Sequence, residues 1–282
     1  MSDYQLILYP TTEELVRGFC QALAEKIKSL AAQQARVNLC LSGGNSPRAV
    51  FKLLTQKYSK ILPREQLHFY WSDERCVPPE HPESNYGTAK TLLLDPLGIP
   101  PDHIHFIDGS RQPETEAQRY SEELKRMLSQ PGEQFLAKGS SGSEALPNTT
   151  RFPDSEGLPR FDLLILGLGE DGHTASIFPN NLTLLKDKRL CLVTEHPLSG
   201  QKRISLGGGP LNNAANTWFL ISGKSKAGVF KQILQNEPAA LQYPAYHIRP
   251  VAGNLIYFAD QQAVDQTAPQ AFKSKPIIDK ND

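Results

Sequence analysis

Residues 161–179, FDLLILGLGEDGHTASIFP, carry the strongest fold signal in the chain. The apolar run at 162–166 predicts a short strand that is buried on both faces and ends at Gly167. Glycines, acids and an imidazole follow directly after this run. Because ligands of open α/β sheets bind outside the carboxyl ends of the strands, the stretch predicts such a sheet with a site after this strand.

His173 is the candidate general base of this site, because imidazole titrates near neutral pH. Asp171 lies two residues earlier and is placed to orient or charge-tune the ring, while Gly169 allows the backbone to approach a ligand closely. The alternative is a strand–turn–helix unit in which Asp171 caps a helix and His173 lies in its first turn. The local spacing leaves both interpretations open.

A glycine-rich loop follows a second predicted strand at 37–41. Its residues are Ser42, Gly43, Gly44, Asn45 and Ser46, and a predicted helix begins near position 47. Such a loop offers backbone N–H groups, hydroxyls and a helix N-terminus to an anion. Neither GK[ST] nor GxGxxG is present, so a phosphate on a small molecule fits better than a nucleotide. A plain glycine-rich turn is the alternative.

Charged residues stand at two further predicted strand ends. Asp73 and Arg75 follow the strand at 67–72, and arginine binds carboxylates or phosphates in bidentate fashion. Lys224 follows the strand at 216–221 and precedes a predicted helix. Because a helix N-terminus favours anions, a lysine there suggests an anionic ligand, with an exposed lysine as the alternative.

The near-continuous alternation of strands and helices predicts one doubly wound, mostly parallel sheet with helices on both faces. Arg203, on a short predicted strand at 202–206, is a further candidate for the crevice where the strand ends converge. We expect a single α/β domain over residues 1–282. Residues at about 130–160, dense in Ser, Gly, Pro and Asn, predict a flexible surface insertion or, alternatively, a linker between two subdomains.

Composition excludes several classes of protein. The chain has 30 basic and 30 acidic residues, so a general nucleic-acid binder is not expected. No apolar run approaches the roughly 20 residues of a membrane span, and the first residues do not resemble a signal peptide, so we expect a cytoplasmic protein. The four scattered cysteines predict reduced packing residues, not disulfides or a zinc site. A monomer and a small homo-oligomer are both compatible with the sequence.

Five motifs occur in one order along the chain: SGGNSP, WSDERCVP…ESNYG, GLGEDGHTASIFP, KRISL and ISGKSKA. In these motifs the sequence resembles the 6-phosphogluconolactonases of the glucosamine-6-phosphate isomerase/6-phosphogluconolactonase superfamily. Two departures are modest: Asn45-Ser46 stands where Ser-Thr is common, and Ser205 where Thr is usual.

The resemblance implies a Rossmann-like fold of NagB/RpiA type. It also implies hydrolysis of 6-phospho-D-glucono-1,5-lactone to 6-phospho-D-gluconate in the oxidative pentose phosphate pathway, by a cytosolic enzyme without a cofactor or metal. In that case the 42–46 loop, Arg203 and Lys224 would hold the phosphate, and Arg75 would help place the substrate or balance charge near the lactone. His173 would be the general base. Asp73 and Gly169 complete the candidate substrate contacts.

Two other functions compete with the lactonase. Sugar-phosphate isomerases and deaminases of the same superfamily carry a further acid shortly after the DGH core, and residues 174–179 contain none. A non-catalytic sugar-phosphate sensor would use the same crevice for binding only. Sensors usually carry a DNA-binding or partner domain, and no helix-turn-helix segment or basic arm is visible.

Overall fold

The computed structural model describes residues 4–128 and 158–264. The strands of these ranges are β1 (Tyr4–Tyr9), β2 (Val37–Leu41), β3 (Leu67–Trp71), β4 (Asp73–Arg75), β5 (Ile104–His105), β6 (Leu163–Gly167), β7 (Cys191–Glu195), β8 (Lys202–Leu206), β9 (Asn216–Ile221) and β10 (Asn254–Asp260). The α-helices are α1 (Thr12–Ala31), α2 (Asn45–Leu53), α3 (Asn85–Ala89), α4 (Asp95–Leu97), α5 (Pro113–Leu128), α6 (Gly208–Asn212) and α7 (Ala227–Gln235). The predicted insertion at about 130–160 lies almost wholly outside the described residues.

The central sheet of the described chain has seven strands in the order β1-β10-β9-β6-β2-β3-β5, and every neighbouring pair is parallel. This confirms the predicted fold class. Helices cover both faces of this sheet. Neighbouring residues of one strand point to opposite faces, so two adjacent residues of β10 show which helix lies on each side. Phe258 of β10 packs on Phe19 of α1 at 5.0 Å between ring centroids. Its neighbour Tyr257 packs on Phe230 of α7 at 5.3 Å.

Helix α1 shows why the local sequence folds as it does. The side chain of Thr11 accepts a hydrogen bond from the N–H of Glu14 at 3.1 Å, which caps the helix, and two glutamates in the first turn suit its dipole. Leu15, Phe19 and Leu23 recur at helical spacing on the face that the helix buries. Burying that apolar face against the sheet is the main stabilising contribution of such a helix.

A second sheet of the described chain is antiparallel and has the strand order β4-β8-β7. The sequence predicted one sheet, with residues 73–75 as a charged turn after the strand at 67–72, so this second sheet is a correction. A pattern of alternating elements does not show which strands pair. In the β4–β8 register Asp73 lies opposite Ser205, and Arg75 lies opposite Arg203. This small sheet therefore brings two of the predicted site cations together.

The four cysteines are free, and three of them are buried. Burial raises the pKa of the Cys20 and Cys191 thiols to about 12. Thiols that stay protonated at neutral pH are poor nucleophiles, so these two act as packing residues. Among the described helices, none is both long and apolar enough to cross a membrane.

Candidate active site

A cavity of about 410 Å³ opens where β2, β6 and β9 of the central sheet end. Ten of the twelve residues predicted for the site line it: Ser42, Gly43, Gly44, Asn45, Ser46, Asp73, Arg75, Gly169, His173 and Arg203. Strand ends that are far apart in the sequence therefore converge on one crevice, as parallel α/β sheets require. Asp171 and Lys224 are not among its lining residues.

His173 and Asp171 form a hydrogen-bonded pair. Nδ1 of the imidazole lies 2.6 Å from Oδ1 of the Asp171 carboxylate. Because a carboxylate can only accept, Nδ1–H is the donor and the lone pair of Nε2 is left free to take a proton. Burial acts to raise the pKa of Asp171, but hydrogen bonds and the charge from His173 outweigh it and hold that pKa below its usual value.

Gly169 makes room for this pair. A Cβ at Gly169 would lie 2.1 Å from Nδ1 of His173, so no other residue fits without moving the ring. Gly172 has a φ of +85°, in the left-handed region that favours glycine. The chain stays irregular from Asp171 until a 3₁₀ segment begins at Pro179. The alternative of a helix capped by Asp171 is therefore wrong.

Backbone N–H groups of this loop serve the loop itself. The N–H of Gly169 donates to the carbonyl of His173 at 2.8 Å, and that of Gly172 donates to the carbonyl of Gly169 at 3.1 Å. The N–H of His173 donates to Asp171 Oδ1. These three donors hold the loop in its conformation and are not available to a bound ligand.

Phe178 connects the histidine loop to the small sheet. Its buried ring lies 4.9 Å from the His173 ring and 5.7 Å below the guanidinium of Arg203. Ser176 donates its hydroxyl to Oδ2 of Asp73 at 2.6 Å, which ties the same loop to β4. These contacts tie the loop that carries His173 to β4 and β8, which carry Arg75 and Arg203.

Arg75 and Arg203 lie side by side in the cavity and form a candidate anion site. They are direct cross-strand neighbours, and like charges in that position repel. Within the described chain, the Nε atoms of both are buried and have no hydrogen-bond partner. Burial, and next the charge of Arg75, lower the pKa of Arg203 from its ordinary value. A ligand that brings negative charge against the two guanidinium groups would relieve the repulsion and satisfy their donors.

The glycine-rich loop contributes helix N–H groups. Gly44, at φ +109°, is the N-cap of α2 and provides no capping side chain. The N–H groups of Asn45 and Ser46 in the first turn have no partner within the helix and lie at its positive end. The hydroxyl of Ser42, by contrast, donates to the carbonyl of Ile165 at 2.7 Å and so belongs to the framework.

Lys226 occupies the place that the sequence analysis gave to Lys224. Lys224 is exposed, whereas Lys226 lines the cavity and lies 3.6 Å from the Glu170 carboxylate. Residues 224–226 form a 3₁₀ turn, in which positions two apart point in different directions. The buried Asp260 carboxylate fixes this turn, because it accepts from the N–H of Gly223.

Further lining residues were not singled out from the sequence: Asn85, Glu170, Ala175, Ser222, Ser225 and Lys226. Some of these lie beside a motif that was recognised, as Lys226 does in ISGKSKA. Asn85 lies in ESNYG, but no predicted strand ends there, so nothing local marked it as a cavity residue.

The parallel sheet, the His173–Asp171 pair and the cations that line the cavity are the features of one class: α/β proteins whose cavity suits an anionic small molecule beside an imidazole. The family described as glucosamine-6-phosphate isomerases/6-phosphogluconolactonase matches residues 10–257. The chain belongs to this family.

Relatives and solved structures agree with the family assignment. The chain is 35% identical over 259 residues to the 6-phosphogluconolactonase of Haemophilus influenzae, covering 92% of this chain and 97% of the relative. The structure is similar to that of the devB protein, with a TM-score of 0.77, 34% identity and coverage of 93% and 98%. It is also similar to the Trypanosoma brucei 6-phosphogluconolactonase structure, with a TM-score of 0.74, 28% identity and coverage of 93% and 98%.

Proposed function

We propose that the protein hydrolyses 6-phospho-D-glucono-1,5-lactone to 6-phospho-D-gluconate, the lactonase step of the oxidative pentose phosphate pathway. The observation that carries the proposal is the coexistence, in one cavity, of a His173 ring with a free Nε2 and of two adjacent guanidinium groups whose buried Nε atoms have no hydrogen-bond partner among the described residues. The imidazole can take a proton from a water that attacks an ester carbon, and the guanidinium groups can bind an anionic substrate. The names of the relatives support the same reaction.

The phosphate end of the substrate is held by Arg203, Lys226 and the first turn of α2. These supply two cations and backbone N–H groups, which are the usual partners of a phosphate dianion. We assign Arg75, the cross-strand neighbour of Arg203, to the lactone part of the same substrate, where its charge stabilises the negative charge that develops on the carbonyl oxygen. Holding the substrate at both ends places C1 beside the imidazole.

Hydrolysis proceeds in two steps. Nε2 of His173 takes a proton from water as the water oxygen bonds to C1, and the carbonyl electrons move to the oxyanion. The oxyanion then collapses, the bond between C1 and the ring oxygen breaks, and the imidazolium returns its proton to that oxygen. Asp171 stabilises the imidazolium between the two steps.

The direct test is hydrolysis of freshly made lactone, corrected for its spontaneous opening. We expect saturable acceleration by the protein. Incubation with glucosamine 6-phosphate, with ammonia as the readout, tests the deaminase alternative. Binding of 6-phosphogluconate without any acceleration of lactone opening would replace the lactonase proposal with the sensor.

Lys226→Ala should raise KM by about tenfold or more, because it removes a charge-assisted hydrogen bond to the phosphate. Lys224→Ala is the matched control, since it removes the same charge from an exposed side chain two residues away. We expect that control to stay within about twofold, as surface charges have small effects. Equal effects of the two substitutions on KM would contradict the assignment to Lys226.

Asp171→Asn should lower kcat/KM by about tenfold or more between pH 5 and 8, because the imidazole loses the carboxylate that orients the ring and stabilises the imidazolium. The hydrogen bonds and charge of His173 hold the pKa of Asp171 below its usual value, so the carboxylate is ionised throughout that range. Its contribution to stability is fully present there and is lost only as pH falls through that lowered pKa. The measurement is kcat/KM across that pH range, with the thermal midpoint as the check of folding. A folded variant within twofold of wild type would show that Asp171 does not act on the base.

A further inference from the structure

Asn85 presents an unused hydrogen-bond acceptor to the cavity. Its side chain is nearly fully buried, at 4% exposed, yet it lines the cavity wall between the glycine-rich loop and β4. Its Nδ2 donates to the backbone carbonyl of Asp73 at 2.9 Å, which fixes the orientation of the amide. Within the described ranges no donor is hydrogen-bonded to its Oδ1. A Cβ at Gly43 would lie 1.7 Å from that oxygen, so only glycine leaves it room.

Glu74 holds the backbone of Asn85 in place. This carboxylate is 1% exposed and accepts from the N–H groups of Arg75 and Asn85 on Oε1, at 2.8 and 2.7 Å. On Oε2 it accepts from the N–H of Tyr86 and the hydroxyl of Ser84, at 2.7 and 3.0 Å. Four donors on one carboxylate join β4 to the start of α3. The amide of Asn85 is therefore preorganised, and it need not rearrange when a ligand binds.

The chemistry of the wall suggests what this acceptor binds. The cations and helix N–H groups of the site serve the anionic parts of a sugar phosphate, whereas its secondary hydroxyls are donors that need acceptors. The Asp73 carboxylate already accepts from Ser176 and Ser72. An amide oxygen accepts from a hydroxyl without adding negative charge beside the phosphate, as a carboxylate in its place would.

We propose that Asn85 is a specificity-determining residue whose Oδ1 accepts a hydrogen bond from one secondary hydroxyl of the sugar chain. The proposal rests on the proposed lactonase function. A site built around a substrate hydroxyl discriminates strongly against the analogue that lacks it, because the buried acceptor is then left unpaired. Asn85 therefore selects polyhydroxylated lactones over deoxygenated ones.

The test compares the parent lactone with its 2-deoxy, 3-deoxy and 4-deoxy analogues, each carrying the 6-phosphate. We expect the wild-type protein to lose about tenfold or more in kcat/KM on one analogue. On the parent lactone, Asn85→Ala should lower kcat/KM by a similar factor. On the analogue that lacks the recognised hydroxyl, the variant should have nearly the same kcat/KM as wild type. On the other two analogues, the substitution should lower kcat/KM by the same factor as on the parent. Asn254→Ala is the matched control: it makes the same change in an exposed residue at the start of β10, at the end of the strands remote from the cavity.

Two results would overturn the proposal. One is that Asn85→Ala lowers kcat/KM by the same factor on the parent and on all three analogues, which is what a merely structural role predicts. The other is wild-type hydrolysis of all three analogues as fast as the parent, a result that needs no variant to fold. If the wild-type protein opens no lactone above the spontaneous rate, the proposed function fails. Calorimetric binding of 6-phosphogluconate and its deoxy analogues to both proteins then decides the role of Asn85 by the same pattern.

Discussion

His173→Asn should lower kcat by about 10²–10⁴-fold while KM changes little, because general base catalysis contributes about that factor. Asparagine keeps a polar side chain that can donate to Asp171, so the fold of the loop should survive. It has no group that takes a proton at neutral pH, so the attacking water is no longer activated. Hydrolysis should then fall towards the rate supported by positioning and charge alone.

His247→Asn is the matched control for this prediction. His247 bonds through Nε2 to the carbonyl of Leu241 and is not among the residues that line the cavity. Its substitution should leave the lactonase rate unchanged. Folding of both variants is checked by circular dichroism and by thermal unfolding. A folded His173→Asn protein that hydrolyses the lactone within threefold of wild type would remove His173 as the base.

Arg203→Met should separate activity from stability. Removing a buried charge-assisted hydrogen bond to the phosphate costs about 1.5–3 kcal/mol, which corresponds to a loss of about 10- to 150-fold in kcat/KM. Without ligand, however, the thermal midpoint should stay level or rise, because the substitution removes the repulsion from Arg75 across the strand pair. A methionine side chain still packs on Phe178, where the guanidinium lay.

Two measurements check this second prediction. The first is kcat/KM beside the thermal midpoint, with Arg189→Met as the control, since Arg189 is exposed and paired with Asp187. The second is the rise in midpoint on adding 6-phosphogluconate, which should be clear for wild type and small for Arg203→Met. A variant that loses activity and also melts well below wild type would show that Arg203 is a structural residue.

Such an exchange between stability and function is expected where a site is prepared for a charged ligand. We expect the repulsion between the two arginines to destabilise the unliganded protein, and a bound anion to offset it. The same logic applies to Ala175, a cavity residue with a φ of +48°. A non-glycine residue in that conformation is strained, and strained backbone is frequent at binding sites.

Local sequence was sufficient for the elements that carry chemistry. The apolar runs and the glycines after them placed β2, β6 and β9. Because parallel strands end at one edge, the loops after them were expected to meet, and they do. The assigned roles of the site residues, the cytoplasmic location, the lack of a cofactor, the single domain and the oligomeric state stay predictions.

The sequence alone determined the class of sheet and the position of the histidine loop, because both depend on short-range patterns of burial and turn formation. Only the tertiary structure decided that Arg75 pairs with Arg203 across two strands, that Lys226 and not Lys224 lines the cavity, and that Asn85 lines it as well. Strand pairing between distant segments depends on the packing of the whole chain. The direction of a side chain in a tight turn depends on backbone angles that residue types do not specify.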